Sequence, residues 1–187
     1  MIVAITKMGR GVIRKYSLLI IFILTAQCAS ASQTGTAKKV IYLLRNDETK
    51  EWCGFATESP WRAAIALTNP DITGGVEFKN DRIASVQLST TDFTADWSVY
   101  DNYAVNNDGT LQRLTRDISF QNEKVREEWG FVGGKAVRRK PPVSQPAETQ
   151  FRMPVITSLE AFPFWFLVKN HQREIFTKGK VCTPAKQ

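Results

Sequence analysis

The sequence predicts a mainly β fold, either an antiparallel meander or a half-barrel, with one or two short helices; a β-rich α+β arrangement stays open. Apolar and polar residues alternate over several short segments, as they do in strands with one buried face. Turn signals rich in Asn, Asp and Gly separate these segments at intervals of roughly 10–14 residues. That spacing is typical of consecutive antiparallel strands.

The clearest strand and turn signals lie between residues 75 and 139. Residues 79–82 (Lys-Asn-Asp-Arg) separate two apolar-rich segments and predict a hairpin. Residues 106–109 (Asn-Asn-Asp-Gly) and 133–134 (Gly-Gly) contain residue types that tolerate the positive φ angles of tight turns. Residues 125–131 place Val, Glu, Trp and Phe on one side of a strand and two charged residues and Gly on the other.

The segment before residue 75 predicts two strands and a short helix. Residues 40–44 form an apolar run suited to a buried strand, and residues 52–56 are its predicted partner. Ser59 followed by proline is typical of a helix N-terminus. Residues 69–71 (Asn-Pro-Asp) would end that helix, although a strand over residues 62–67 is an alternative that so short a segment leaves open.

The segment after residue 139 begins with a Pro-rich loop, which we place at residues 140–150 because proline cannot donate to a strand ladder. Ser158 could cap a short helix that Pro163 would end. The strongly apolar residues 164–168 and the later residues 173–181 are predicted as closing strands.

The first 31 residues have the three zones of a cleavable signal peptide. A basic region precedes an apolar run at residues 18–24, and the small residues 29–31 match a signal-peptidase site, so cleavage is predicted after Ala31. The apolar run is too short for a stable membrane span, which needs roughly 20 residues. We do not expect a lipid anchor at Cys28, since Gln27 stands where a small residue is usual. The chain is therefore predicted to be exported, to the periplasm or the medium.

Removal of this segment changes the charge of the protein. Four of the 25 cations and none of the 18 acids lie in residues 1–31, so the remainder carries 21 cations and a net charge of about +3. This value is ordinary for a solvated surface and does not indicate a nucleic-acid partner, which would need clustered Lys and Arg. We predict a flexible segment at residues 32–38 and one β-rich domain at residues 39–187, with no membrane span once the signal is removed.

Two cysteines, Cys53 and Cys182, remain after the predicted cleavage. An even pair in an exported chain favours a disulfide. The bond would join the start of the domain to its end, and a loop of that size implies roughly 4–5 kcal/mol of stabilisation in the chain-entropy view. Two free thiols are the alternative, because Lys178 and Lys180 could lower the pKa of a Cys182 thiol.

The sequence contains no clear catalytic or metal-binding motif. The single histidine, His171, lies in a polar segment predicted as a turn, and no Gly-x-Ser-x-Gly sequence accompanies it. One His and two distant Cys provide no metal-ligand set, and we expect neither metal nor cofactor. A pair of carboxylates for glycoside hydrolysis could come from five residues, because such pairs are set in space rather than in sequence. These are Glu58, Asp96, Asp101, Glu127 and Glu128.

Aromatic residues are the one residue class that suggests a binding site. All five tryptophans follow residue 31, and a sheet lined by such rings could hold an apolar ligand, with Trp52 and Trp61 placed most readily at its rim. The candidate ligand-binding residues are Trp52, Trp61, Trp97, Trp129 and Trp165. The sequence thus favours a non-enzymatic, exported protein that binds an apolar small molecule or an envelope protein. The alternatives are an assembly partner that uses a sheet edge or residues 164–168, and a cell-wall hydrolase.

Overall fold

The computed structural model of the chain describes residues 38–92, 96–120, 123–140 and 153–183. The predicted signal peptide, its cleavage site after Ala31 and the predicted flexible segment up to residue 37 lie outside the described residues. So does the predicted Pro-rich loop, except for Lys140, which is the last residue of a strand.

The described residues form a nine-stranded antiparallel sheet with two α-helices, so the predicted mainly β fold is confirmed. The strand order is β8-β7-β6-β5-β4-β3-β1-β2-β9, which leaves the sheet open, with β8 and β9 at its edges. The strands are β1 (Lys39–Arg45), β2 (Trp52–Phe55), β3 (Ile72–Lys79), β4 (Arg82–Thr91), β5 (Trp97–Val105), β6 (Leu111–Phe120), β7 (Glu123–Val132), β8 (Lys135–Lys140) and β9 (Lys180–Thr183).

Strands β3 to β8 form the predicted meander, because each one pairs antiparallel with the next strand along the chain. Asn80 and Asp81 both have positive φ angles, of 54° and 58°, as the two central residues of a tight hairpin turn require. Gly133 and Gly134 have φ angles of 55° and 74° between β7 and β8. The turns predicted at these positions and at residues 106–109 are confirmed.

Helix α1 (Glu58–Thr68) confirms the predicted helix and excludes the alternative strand at residues 62–67. It starts one residue before Ser59, and Thr57 occupies the N-cap position. Trp61 and Ile65 pack against Leu44 and Phe55 of the sheet. Asn69 ends the helix in the left-handed conformation with φ 39°, which Asn tolerates better than most residues.

The predicted closing strands at residues 164–168 and 173–181 are wrong. Helix α2 (Trp165–Lys178) occupies this segment, after a short 3-10 helix (Leu159–Ala161), and only β9 follows as a strand. Phe164, Leu167, Val168 and Ile175 are buried, and their spacing of three, four and seven places them on one helical face. A short apolar run suits a buried strand equally well, because run length alone does not distinguish the two.

The two helices pack on opposite faces of the same strands. Helix α2 contacts β1, β2 and β9 on the face that we call the covered face, and α1 contacts β1 and β2 on the other, which we call the open face. All four residues of β2 are buried as a result. Gly54 permits the close approach of α2, since a Cβ atom there would lie 2.7 Å from Cδ1 of Ile175.

The covered face continues over β5 to β7 beneath the segment of residues 153–164. Tyr103 of β5 packs edge-on against Phe162 of this segment, with ring centroids 5.0 Å apart. Met153 packs on a smaller apolar cluster that contains Val99 and Ile118. On the open face of these strands, in contrast, the side chains are exposed, as at Tyr100, Asn102, Arg113 and Arg126.

Cys53 and Cys182 form a disulfide with an S–S distance of 2.05 Å, which confirms the predicted pairing. The two cysteines are directly opposite each other in the register of β2 and β9. The bond therefore fixes the last strand against the second one, and it couples the two ends of the domain.

Candidate functional site

A cleft of about 470 Å³ lies between helix α2 and two hairpin turns, those that connect β3 to β4 and β5 to β6. It combines an apolar floor with a polar rim. The floor consists of Phe78, Ile83 and Leu159, and the rim of Asp81, Arg82, Asn106, Asn107, Asp108, Gly109 and Gln172.

The floor of the cleft belongs to the main core of the protein. Phe78 is 2% exposed and packs edge-on against Phe176 of α2, with ring centroids 6.0 Å apart. Leu159 is also buried in this core. Since close-packed interiors resist deformation, the floor is a rigid apolar surface.

The β5–β6 turn holds one side of the rim through its own hydrogen bonds. The backbone N–H of Asn106 donates to the carbonyl of Thr110 at 2.8 Å, and that of Gly109 donates to the carbonyl of Asn106 at 3.0 Å. Asp108 accepts from the hydroxyl of Thr110 at 2.7 Å and from its backbone N–H at 2.9 Å. Both hydrogen bonds lower the pKa of Asp108, and the one from the hydroxyl has the larger effect. The carboxylate is therefore ionised, and its Oδ1 accepts both bonds.

Arg82 and Asp108 are the two charges on the rim that have no ion-pair partner among the described residues. Asp81 accepts a hydrogen bond from Lys39 Nζ at 2.8 Å, which matches its charge. Within the described part of the chain, the guanidinium of Arg82 forms no hydrogen bond or ion pair. The guanidinium of Arg82 is therefore available to pair with an anionic group of a ligand.

A buried ion pair joins β5 and β6 under the segment of residues 153–164. Arg116 donates to both carboxylate oxygens of Asp101, from Nε at 2.7 Å and from Nη2 at 2.8 Å, and both residues are 3% exposed. Arg116 also donates to the carbonyl of Met153 at 2.8 Å. Burial alone would lower the pKa of Arg116, but the hydrogen bonds and the charge of Asp101 outweigh it and raise that pKa.

Tyr103 extends this cluster towards the covering segment. Its hydroxyl donates to Asp101 at 3.3 Å and accepts from the backbone N–H of Ile156 at 3.2 Å. Burial, followed by the nearby charge of Asp101, raises the pKa of Tyr103, so the phenol stays protonated. Asp101, Tyr103 and Arg116 therefore attach residues 153–156 to the sheet.

The carboxylates that could have served a hydrolase are largely engaged in ion pairs. Asp101 is bound by Arg116, as described above. Glu127 accepts from Arg138 and from the indole N–H of Trp129 at 3.4 Å, and Glu58 accepts from Arg62 Nε at 2.7 Å. Three of the five candidate carboxylates are therefore held by cations.

The five tryptophans are distributed over both faces of the sheet. Trp52 is 4% exposed and packs against Phe164, so its predicted rim position is wrong. Trp61 lies in α1 on the open-face side, where its indole N–H donates to the carbonyl of Leu43 at 3.0 Å. Both rings thus stabilise the packing of the fold.

The other three tryptophans are partly buried on the covered-face side. Trp97 packs on the cluster around Val99, and Trp129 lies beneath the guanidinium of Arg138 at 5.3 Å. Trp165 begins α2, and its indole N–H is buried without an acceptor in the part of the chain that the structure describes. The role of the tryptophans in ligand binding stays a prediction.

His171 lies in helix α2 and not in a polar turn as predicted. Its Nδ1 is 2.8 Å from Oε2 of Glu174, one helical turn away. Lys178 and, after it, His171 hydrogen-bond to Glu174 and lower its pKa. This arrangement is an exposed set of side-chain contacts along one helix.

Sequence reasoning missed the buried role of Arg116, although the sequence contains a signal for it. Leu114 and Ile118 are inward-facing positions of β6, and Arg116 lies midway between them with the same period of two. A charged residue at an inward position requires a buried partner. The partner, Asp101, is apparent only once β5 and β6 are in register.

The described residues contain no group of three or more His, Cys, Asp or Glu that could hold a metal ion. None of the helices in the described ranges is long and apolar enough to cross a membrane. Comparison with known protein families, with curated proteins and with solved structures found no match for this chain.

Proposed function

We propose that this chain is an exported, non-enzymatic binding protein whose cleft binds a small amphipathic anion. Export is supported by the signal-like residues 1–31 and by the Cys53–Cys182 disulfide, since such bonds persist in oxidising compartments. The sequence suggests an apolar ligand, and the ligand proposed here also carries an anionic group.

The observation that carries the proposal is the unmatched Arg82 next to an apolar floor. A ligand could place its apolar part on Phe78 and Leu159 and its anionic group beside the guanidinium. Small-molecule sites typically combine an apolar lining with a few polar groups that orient the ligand. The amides of Asn107 and Gln172 are on the same rim and could donate or accept further hydrogen bonds.

Calorimetric titration of the purified exported protein with decanoate, below its micelle concentration, tests the cleft. We expect decanoate to bind and decyltrimethylammonium to bind much more weakly, because the two share a chain length and differ in charge. Arg82→Ala should weaken decanoate binding about five- to tenfold, through loss of a charge-assisted hydrogen bond that is partly solvated.

Arg173→Ala is the matched control, since Arg173 is an exposed cation of α2 beside the rim residue Gln172. It should leave the affinity for decanoate unchanged. Equal binding of the cationic amphiphile, or an unaltered affinity in Arg82→Ala, would contradict the proposed site.

The alternative, an assembly surface at residues 164–168, has less support. Phe164, Leu167 and Val168 are each 1% exposed and form part of the core, so only Phe166, at 41%, offers much surface. An open sheet edge is a stronger basis for an interaction with another molecule than residues 164–168 are. The β7–β8 hairpin lies at one such edge.

A further inference from the structure

The distal half of the β7–β8 hairpin carries more cations than acids, even with Glu127 and Glu128 at its base. Residues 129–140 contain four cations and no Asp or Glu. One of the cations, Arg138, is paired with Glu127 on the covered face. The side chains of Lys135 and Arg139 are exposed and, like that of Arg113 on the neighbouring strand β6, form no hydrogen bond or ion pair in the described part of the chain.

Arg113 and Arg139 lie next to each other on the open face, on either side of Gly130. Gly130 is directly opposite Arg113 in the register of β6 and β7. The side chain of Arg139 lies across Gly130, because a Cβ atom there would be 2.5 Å from Arg139 Nε and 2.9 Å from its Nη2. The guanidinium of Arg139 covers Gly130, and Arg113 lies on the neighbouring strand of the same face, so a phosphate group can bind both arginines there.

Two exposed valines lie on the same face, Val137 level with Gly130 and Val132 closer to the turn. Val137 is directly opposite Gly130 in the register of β7 and β8, and Val132 is two residues further along β7, so both share its face. Val132 is 70% exposed and Val137 52% exposed. The turn beyond them is Gly133–Gly134, which has no side chains that would keep the valines away from a flat surface.

We propose that the tip of the β7–β8 hairpin docks on an anionic phospholipid surface. Val132 and Val137 enter the interfacial layer, and Arg113 and Arg139 together bind the phosphate of a lipid headgroup. Apolar side chains combined with cations are what peripheral proteins use at anionic membranes. A free phosphate would use the arginines and leave the valines without a role.

An acidic peptide added to the edge of β8 is the competing partner. The observations favour the membrane, because cations on an edge strand disfavour strand pairing. The inference goes beyond the proposed cleft and does not depend on it. The hairpin turns that form the cleft rim are at the same end of the sheet as Gly133 and Gly134, so docking would bring the cleft close to the lipid.

Co-flotation of the exported protein with lipid vesicles tests the proposal. We expect binding to phosphatidylcholine vesicles that contain one third phosphatidylglycerol, little binding to phosphatidylcholine alone, and weaker binding as salt is raised. The double variant Arg113→Gln/Arg139→Gln should bind at least about tenfold more weakly, since each cation close to such a surface contributes roughly fivefold. Val132→Ser/Val137→Ser should also lose most of the binding.

Lys169→Gln/Arg173→Gln is the control, because it removes the same charge from exposed positions of α2. This control should retain vesicle binding within about twofold of the unaltered protein. The proposal is overturned if the unaltered protein does not bind the anionic vesicles, or if the α2 control loses as much binding as the hairpin variants. It is also overturned if a polyglutamate peptide, and not the vesicles, binds in a way that the hairpin variants abolish.

Discussion

At the scale of single residues, the most consequential contact is the buried pair of Asp101 and Arg116. Both charges are removed from water, and their cost is offset only because the carboxylate is bound at two oxygens and Arg116 also reaches the carbonyl of Met153. Arg126 forms the same kind of bidentate contact with Asp117, but this pair lies on the solvated open face. The two pairs share their geometry and differ in burial.

Replacement of Arg116 by Leu should lower the free energy of unfolding by about 3–5 kcal/mol, because Asp101 remains buried without a counter-ion. Urea unfolding followed by fluorescence measures this loss. Arg126→Leu is the control and should destabilise the protein far less, because exposed ion pairs contribute little to stability. Equal losses in the two variants would show that burial does not set the strength of the Asp101 pair.

At the scale of elements, the strands could be predicted far better than the last helix. Strands β3 to β8 are identified by local signals, since alternation and turn residues act between near neighbours in the chain. Helix α2 carries a mixed signal: residues 164–168 are all apolar, although the helix exposes Phe166. The contact between Gly54 and Ile175, far apart in sequence, shows how the sheet accommodates a helix there.

Two single alanine substitutions test the helix against the predicted strand. In α2, Leu167→Ala should lower the free energy of unfolding by about 2–5 kcal/mol, because Leu167 is 1% exposed. Phe166→Ala should cost less than about 1 kcal/mol. A strand would reverse this order, since Phe166 would then share the face of Phe164 and Val168. Thermal or urea unfolding of both variants decides the order.

At the scale of the whole molecule, the disulfide closes a long loop. Cys53 and Cys182 are 129 positions apart, and the edge strand β9 that contains Cys182 has only four residues. A strand so short contributes few ladder hydrogen bonds of its own, so the covalent bond is well placed to keep it paired with β2.

Replacement of both cysteines by Ala should lower the free energy of unfolding by about 2–5 kcal/mol, mainly because the unfolded chain regains the entropy of an open loop. Unfolding curves with and without dithiothreitol provide the control. The reductant should destabilise the unaltered protein by a similar amount and leave the double variant unaffected. A double variant as stable as the oxidised protein would exclude this role for the bond.

The sequence by itself determined the fold class, the hairpins and the cysteine pair, because alternation, turn chemistry and residue counts are properties of neighbouring residues or of composition. Only the tertiary structure decided which charged side chains have an ion-pair partner and which have none. Arg82, Arg113 and Arg116 are all strand arginines, yet only Arg116 faces inward to a carboxylate. Charge matching depends on strand register and on the elements that cover each face, and both are set by long-range packing.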